Sequence, residues 1–123
     1  MKKRILYAED ERDLREITAD ILCSEGYDCV AVKEGEEAQE FLKTQKFDLL
    51  LSDFNMPILD GTDLLFWCRQ NGLHFPVVFI TGSPILIPIQ KEALTGCLTS
   101  LVNKPFKFHD LTQAIEQALH KAR

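Results

Sequence analysis

Apolar runs of strand length alternate with helix-period segments along the whole chain, and no other feature of the sequence narrows the fold as far. The runs are Ile5-Leu6-Tyr7-Ala8, the strand-like Tyr27-Asp28-Cys29-Val30-Ala31-Val32, Phe47 to Ser52, Val77-Val78-Phe79-Ile80, and Leu98 to Val102. Between them, residues 11–25 carry Leu14, Ile17, Ile21 and Leu22 at helical spacing and close on Gly26, a helix-ending residue. Residues 35–44 repeat the pattern through Ala38, Phe41 and Leu42, and residues 61–71 through Leu64, Leu65 and Cys68, stopping at Asn71-Gly72. Residues 107–121 place Phe108, Leu111, Ile115, Ala118 and Leu119 at offsets of three and four, an amphipathic helix. Alternation of this kind predicts a parallel sheet with helices on both faces, and the continuous apolar stretches 49–51 and 77–80 fit strands buried on both sides.

One segment resists the pattern. In Ser83-Pro84-Ile85-Leu86-Ile87-Pro88-Ile89-Gln90 two prolines stand four apart among β-branched residues, which argues against an early helix start. Pro88 fits the first turn of a short helix ending before Gly96, leaving 82–87 as an apolar loop. Its Ile85-Leu86-Ile87 either forms an exposed patch of the sort that marks a partner or dimer surface, or folds back over the sheet edge.

The ends of the runs carry the chemistry. Glu9-Asp10, Asp53, Thr81 and Lys104 each follow one of them, and open α/β sheets place their sites beyond the carboxyl ends of the strands. As neighbouring strands, these runs would gather three carboxylates, a hydroxyl and an ammonium. Each pair of carboxylates about 4.5 Å apart, at an effective dielectric of about 20, repels by roughly 3–4 kcal/mol, so the cluster calls for a cation. Mg2+ suits it, taking one or two carboxylates with water and sharing its other positions with phosphate oxygens. An aspartate there can accept a phosphoryl group, whose oxygens need a metal, a lysine and a hydroxyl donor.

Composition removes several classes. A chain of 123 residues fits one domain with its own core. A net charge of −5 opposes phosphate-backbone binding, so nucleic acid is not the expected partner. No apolar run approaches membrane-spanning length, and no signal peptide is expected. Cys23, Cys29, Cys68 and Cys97 form no Cys-x-x-Cys pair and fit reduced core thiols of a cytoplasmic protein.

With Ala8-Glu9-Asp10-Glu11, Asp53-Phe54-Asn55-Met56-Pro57 followed by Asp60-Gly61, Thr81-Gly82 and Lys104-Pro105-Phe106, the chain resembles a response-regulator receiver domain of the stand-alone, chemotaxis type. The resemblance runs from Lys3 to about Leu119. It implies a doubly wound, flavodoxin-like parallel sheet of five strands in the order 2-1-3-4-5 with five helices, here with an atypical fourth. It further implies Asp53 as phosphoacceptor and Mg2+ held by Glu9, Asp10, Asp53 and the Asn55 carbonyl. Thr81 and Lys104 would engage phosphoryl oxygens, and the Lys104–Pro105 bond would be cis. The implied donor is a sensor histidine kinase or phosphotransfer protein. The implied output is contact with a protein partner or a second copy through about residues 86–121, from a single receiver domain spanning 1–123 with no output domain. In such a regulator, which is not an enzyme in its own right, the aspartyl phosphate hydrolyses with the receiver's own help. Asn55 and Ser83 at the two positions that tune that step, with Gly82 leaving room for the attacking water, predict no exceptional lifetime.

The sequence also departs from the family pattern. Glu9 stands where Asp is commoner, Cys97-Leu98 where a small Gly-Ala pair is usual, and Leu101 where relatives carry a switching aromatic. The expectation for this chain is that signalling runs through rearrangement of residues 82–96. Leu59-Asp60-Gly61-Thr62 is similar to a haloacid-dehalogenase phosphatase signature, but the nucleophile would fall at Ile58, which has no nucleophilic atom. No Gly-x-Gly-x-x-Gly follows the first strand. The remaining alternative is a pseudo-receiver of the same fold that works by binding alone.

Overall fold

The computed structural model describes residues 2–96 and 98–122. Its elements run β1 (Arg4–Ala8), α1 (Arg12–Ser24), β2 (Asp28–Val32), α2 (Gly35–Thr44), β3 (Leu49–Asp53), α3 (Gly61–Gln70), β4 (Val77–Thr81), α4 (Pro88–Ala93), β5 (Thr99–Asn103) and α5 (Phe108–Lys121). The strands form one parallel sheet, as the alternation predicts, in the order β2-β1-β3-β4-β5 that the resemblance implies.

Period-two alternation within the strands divides the core. Leu6, Ala8, Leu50, Val77 and Phe79 face a cluster with Ala38 and Leu42 of α2, Leu64, Leu65 and Cys68 of α3, and Ala93 of α4. Ile5, Tyr7, Leu49, Leu51, Val78, Ile80 and Val102 face Leu22 of α1 and Leu111, Ile115 and Ala118 of α5. Every residue of β3 and β4 is buried, because helices cover both of their faces.

At the opposite end of the sheet from the strand carboxyl termini, Arg4 binds three segments together. Its Nε donates to Asp28 Oδ2 at 2.9 Å, Nη1 to the Lys46 carbonyl at 2.9 Å and Nη2 to Gln45 Oε1 at 2.8 Å. The guanidinium also lies 4.6 Å from the centre of the Phe47 ring.

Three expectations need correction or completion. Ile17 is 52% exposed while Thr18 is fully buried; the buried face of α1 follows the four-residue step from Leu14 through Thr18 to Leu22, and Ile17 falls just outside it. Cys23 is exposed, whereas Cys68 is buried and Cys29 half-buried; Cys23 stands beside Leu22 at the last turn of α1 and so leaves the core face. Cys97, expected to pack as a core thiol, lies outside the described residues. The fourth helix is six residues long with Pro88 in its first turn, as the prolines dictate. Before it, Leu86 packs on the core while Ile85 and Ile87 are 76% and 54% exposed, so of the two arrangements open to this loop the exposed one holds for both isoleucines. Among the described residues no helix is long and apolar enough to cross a membrane.

Candidate functional site

Four strand ends deliver the predicted residues to one place. β1 runs into Glu9-Asp10, β3 ends on Asp53, β4 ends on Thr81, and the turn after β5 carries Lys104. Sheet order reverses between β2-β1 and β3-β4-β5, and a crevice at such a switch point is where a doubly wound sheet holds its ligand.

Carboxylate oxygens of Glu9, Asp10 and Asp53 lie within 4.8 Å of one another. Asp53 is 4% exposed; its Oδ1 accepts from the Asn55 amide at 3.0 Å and its Oδ2 from Lys104 Nζ at 2.7 Å. The Glu9 amide continues the sheet ladder by donating to the Val32 carbonyl at 3.0 Å, which draws the Glu9 side chain fully inside. Glu9 Oε2 accepts from the Glu11 amide at 3.2 Å. Lys104 Nζ also stands 3.1 Å from the buried Glu9 Oε1, an ion-pair contact.

Titration follows from this geometry. Burial, reinforced by the Asp53 charge, pushes the Glu9 carboxyl up to about 7, with the Glu11 amide and Lys104 only partly opposing it. For Lys104, burial works against the ammonium, but Asp53 and then Glu9 outweigh it and its pKa is raised. A single lysine thus faces more negative charge than it can neutralise. Three convergent carboxylates that share one ammonium fit a hard divalent cation with oxygen ligands.

The other predicted residues are placed around this pocket. Thr81 is fully buried; its Oγ1 accepts from the Ser83 amide at 3.1 Å and its carbonyl accepts from the Lys104 amide at 2.7 Å. Asn55 is exposed at the rim. The Lys104–Pro105 bond is cis, as the resemblance implies.

Sequence reasoning passed over two residues that shape the site. Gly61 donates its amide to the Phe54 carbonyl at 3.0 Å, and a Cβ there would collide with the Asp53 carbonyl oxygen; the only signal was its place in the Asp60-Gly61 pair. Arg15 reaches back from α1 to the carbonyls of Glu9 and Asp10; an arginine on a helix face carries no sequence signal for such a contact.

Fold and pocket together define an α/β module of flavodoxin-like topology with an acid–lysine site at its switch point. Residues 5–116 match the family model of the response regulator receiver domain, and the chain belongs to that family. Receiver domains are regulatory modules of two-component signalling, and the family typically binds Mg2+. The chain is similar to the response regulator receiver protein CpdR of Brucella abortus, 32% identical over 95% of this chain and 97% of that protein. It is also similar to the response regulator protein FleR of Pseudomonas aeruginosa, 35% identical over 94% of this chain but only 24% of that longer protein. Among solved structures, a CheY-like receiver domain protein of Methanospirillum hungatei superimposes with a TM-score of 0.90 at 25% identity, covering 98% of this chain and 96% of that one. A chemotaxis response regulator of Vibrio cholerae does so with a TM-score of 0.85 at 22% identity, over 96% and 99% of the two chains.

Proposed function

We propose that the chain accepts a phosphoryl group on Asp53 with Mg2+ bound, and that it signals through protein contact. The observation that carries this reading is the convergence of Asp53, Glu9, Asp10 and Lys104 at the switch point of a receiver sheet. Glu9, Asp10, Asp53 and the Asn55 carbonyl would hold the cation. When bound, it supplies positive charge against the carboxylates and the transferred phosphoryl oxygens. An Asp53 carboxylate oxygen forms the new bond to phosphorus as the bond from phosphorus to the donor breaks. For a phosphohistidine donor, the electron pair leaves with the imidazole nitrogen. Lys104, already on Asp53 Oδ2, follows the charge onto the phosphoryl oxygens, and the Thr81 hydroxyl donates to another of them.

A sensor histidine kinase or phosphotransfer protein is the donor in this reading, and residues 86–121 form the contact surface toward a partner or a second copy. The module acts in the cytoplasm as one receiver domain and assists the loss of its own phosphoryl group.

Intact-protein mass spectrometry after incubation with acetyl phosphate tests the proposal. A phosphoryl adduct that requires Mg2+ and is lost in Asp53→Asn is the expected result. No adduct on the native chain would leave the pseudo-receiver reading, a module of this fold that binds without phosphorylation, which Leu101 at the switching position favours.

A further inference from the structure

We infer that Arg15 is a positioning residue for the acidic pair of the β1–α1 turn and, through that pair, for the divalent cation. The inference rests on the cation reading above. Arg15 sits in the first turns of α1 and is half-buried. Its Nη1 donates to the Glu9 carbonyl at 2.9 Å and approaches the Asp10 carbonyl at 3.4 Å. Neither carbonyl belongs to the sheet ladder or to the ladder of α1, which opens with the Glu11 carbonyl accepting from the Arg15 amide at 2.9 Å. The guanidinium is therefore what holds the turn's two backbone oxygens.

That hold is transmitted by the planarity of the peptide bond. In a trans peptide the C=O and the following N–H point in opposite directions. The plane whose Asp10 carbonyl faces Arg15 has the Glu11 N–H at its other end, and that N–H donates to Glu9 Oε2 at 3.2 Å. Fixing the carbonyl thus fixes the donor that aims the buried Glu9 carboxylate. The plane between Glu9 and Asp10 is pinned in the same way, with its N–H turned away from the guanidinium. Arg15 touches no reacting atom; it acts by orienting two peptide dipoles and one carboxylate.

Charge alone predicts the opposite consequence. Removing a cation beside an acidic site strengthens the attraction of Mg2+ to that site, whereas losing the orientation of its ligands weakens binding. Arg12 separates the two effects. It stands on the same helix and is exposed, and among the described residues its ion pair is with Asp13, at 3.5 Å.

The test is Mg2+ binding by titration calorimetry to the native chain, Arg15→Ala, Arg15→Lys and Arg12→Ala. It is joined by the amide proton shift and exchange rate of Glu11 in metal-free protein. Outer contacts that orient metal ligands are worth about tenfold to a hundredfold in affinity. Arg15→Ala is expected to bind Mg2+ about tenfold more weakly and to lose the Glu11 hydrogen-bond signature. Arg15→Lys, whose ammonium sits on a shorter and less preorganised side chain than the planar guanidinium, should fall between it and the native chain, and Arg12→Ala should bind at least as tightly as the native chain. Mg2+ binding by Arg15→Ala equal to or tighter than native, or a native Glu11 amide in that variant, overturns the inference. If Arg15→Ala does not fold, judged by thermal unfolding in EDTA, the same two outcomes are read on Arg15→Lys. A native chain that binds no Mg2+ refutes the cation reading by itself, and the Glu11 amide still decides whether Arg15 positions the turn.

Discussion

Two residues carry unfavourable states whose effects can be measured separately. Glu9 is sealed inside the protein with a carboxyl pushed up from about 4.5 to about 7. Its folded-state pKa is the higher one, so the folded chain keeps a proton that the unfolded chain has already lost. The resulting stabilisation is complete below about pH 4.5 and is lost as pH rises through about 7, amounting to about 3 kcal/mol at most. In EDTA, urea unfolding of the native chain should therefore weaken across that window relative to Glu9→Gln. Mg2+ affinity should rise over the same window in the native chain alone, because the cation needs the carboxylate. A difference curve between the two proteins that stays flat with pH would contradict this assignment. Ile58 is the second such residue. It has a φ of 71°, and the Leu59 amide donates to the Pro57 carbonyl at 2.8 Å, which makes a γ-turn with positive φ around a β-branched residue. Such geometry costs roughly 1–3 kcal/mol, and the side chain is 88% exposed with no burial to offset it. Ile58→Asn should raise stability by about 1 kcal/mol in denaturant unfolding while leaving Mg2+ affinity unchanged; a loss of stability would show that the Ile58 side chain is held by contacts that outweigh the strain.

At the scale of elements, the segment from β4 to α4 departs most from a regular receiver and is also closely tied. The Ser83 amide donates to Thr81 Oγ1 at 3.1 Å. Ser83 Oγ donates to the Ile85 carbonyl at 2.8 Å and accepts from the Ile85 amide at 3.3 Å. The Ile87 amide donates to Oε1 of the buried Gln90 at 3.1 Å. These bonds run from the hydroxyl expected to meet a phosphoryl oxygen out to the exposed Ile85 and Ile87. Leu101, half-buried against the core, has no ring or hydroxyl with which to follow a moving Thr81. Beryllofluoride, as a phosphoryl mimic, is therefore expected to speed amide exchange at Ile85 and Ile87 as Thr81 leaves Ser83. Unchanged exchange throughout residues 82–96 would count against this route.

At the scale of the molecule, the proposed phosphorylation of Asp53 would be reversed at a rate set by how the loops around the pocket admit water. Asn55 is exposed at the rim, and a Cβ at Gly82 would approach nothing closer than the Lys104 side chain at 3.9 Å, so Gly82 leaves space beside Lys104. Phospho-Asp53, followed by mass spectrometry after removal of the donor, should show no exceptional lifetime. An adduct stable over many hours would count against this expectation.

Alternation of apolar runs with helix-period segments made the parallel doubly wound sheet legible, since burial on both faces of a strand leaves a continuous apolar signature in the chain. Gly26, Gly72 and Pro88 marked the ends of α1 and α3 and the start of the shortened α4, because they act through local backbone geometry. Glu9, Asp10, Asp53, Thr81 and Lys104 were legible for a related reason: each stands at or just past the carboxyl end of a strand, where the fold class puts its chemistry. Other properties arise only when distant segments meet. The solvent-facing turn of Ile17 and Cys23 depends on how α1 is rotated against the sheet. The raised carboxyl of Glu9 comes from burial and from Asp53, forty-four positions further along the chain. The grip of Arg15 on the Glu9 and Asp10 carbonyls exists only once α1 folds back beside β1. Periodicity and strand-end chemistry are properties of neighbours in sequence, whereas exposure, proton affinity and the aim of a side chain are set by neighbours in space.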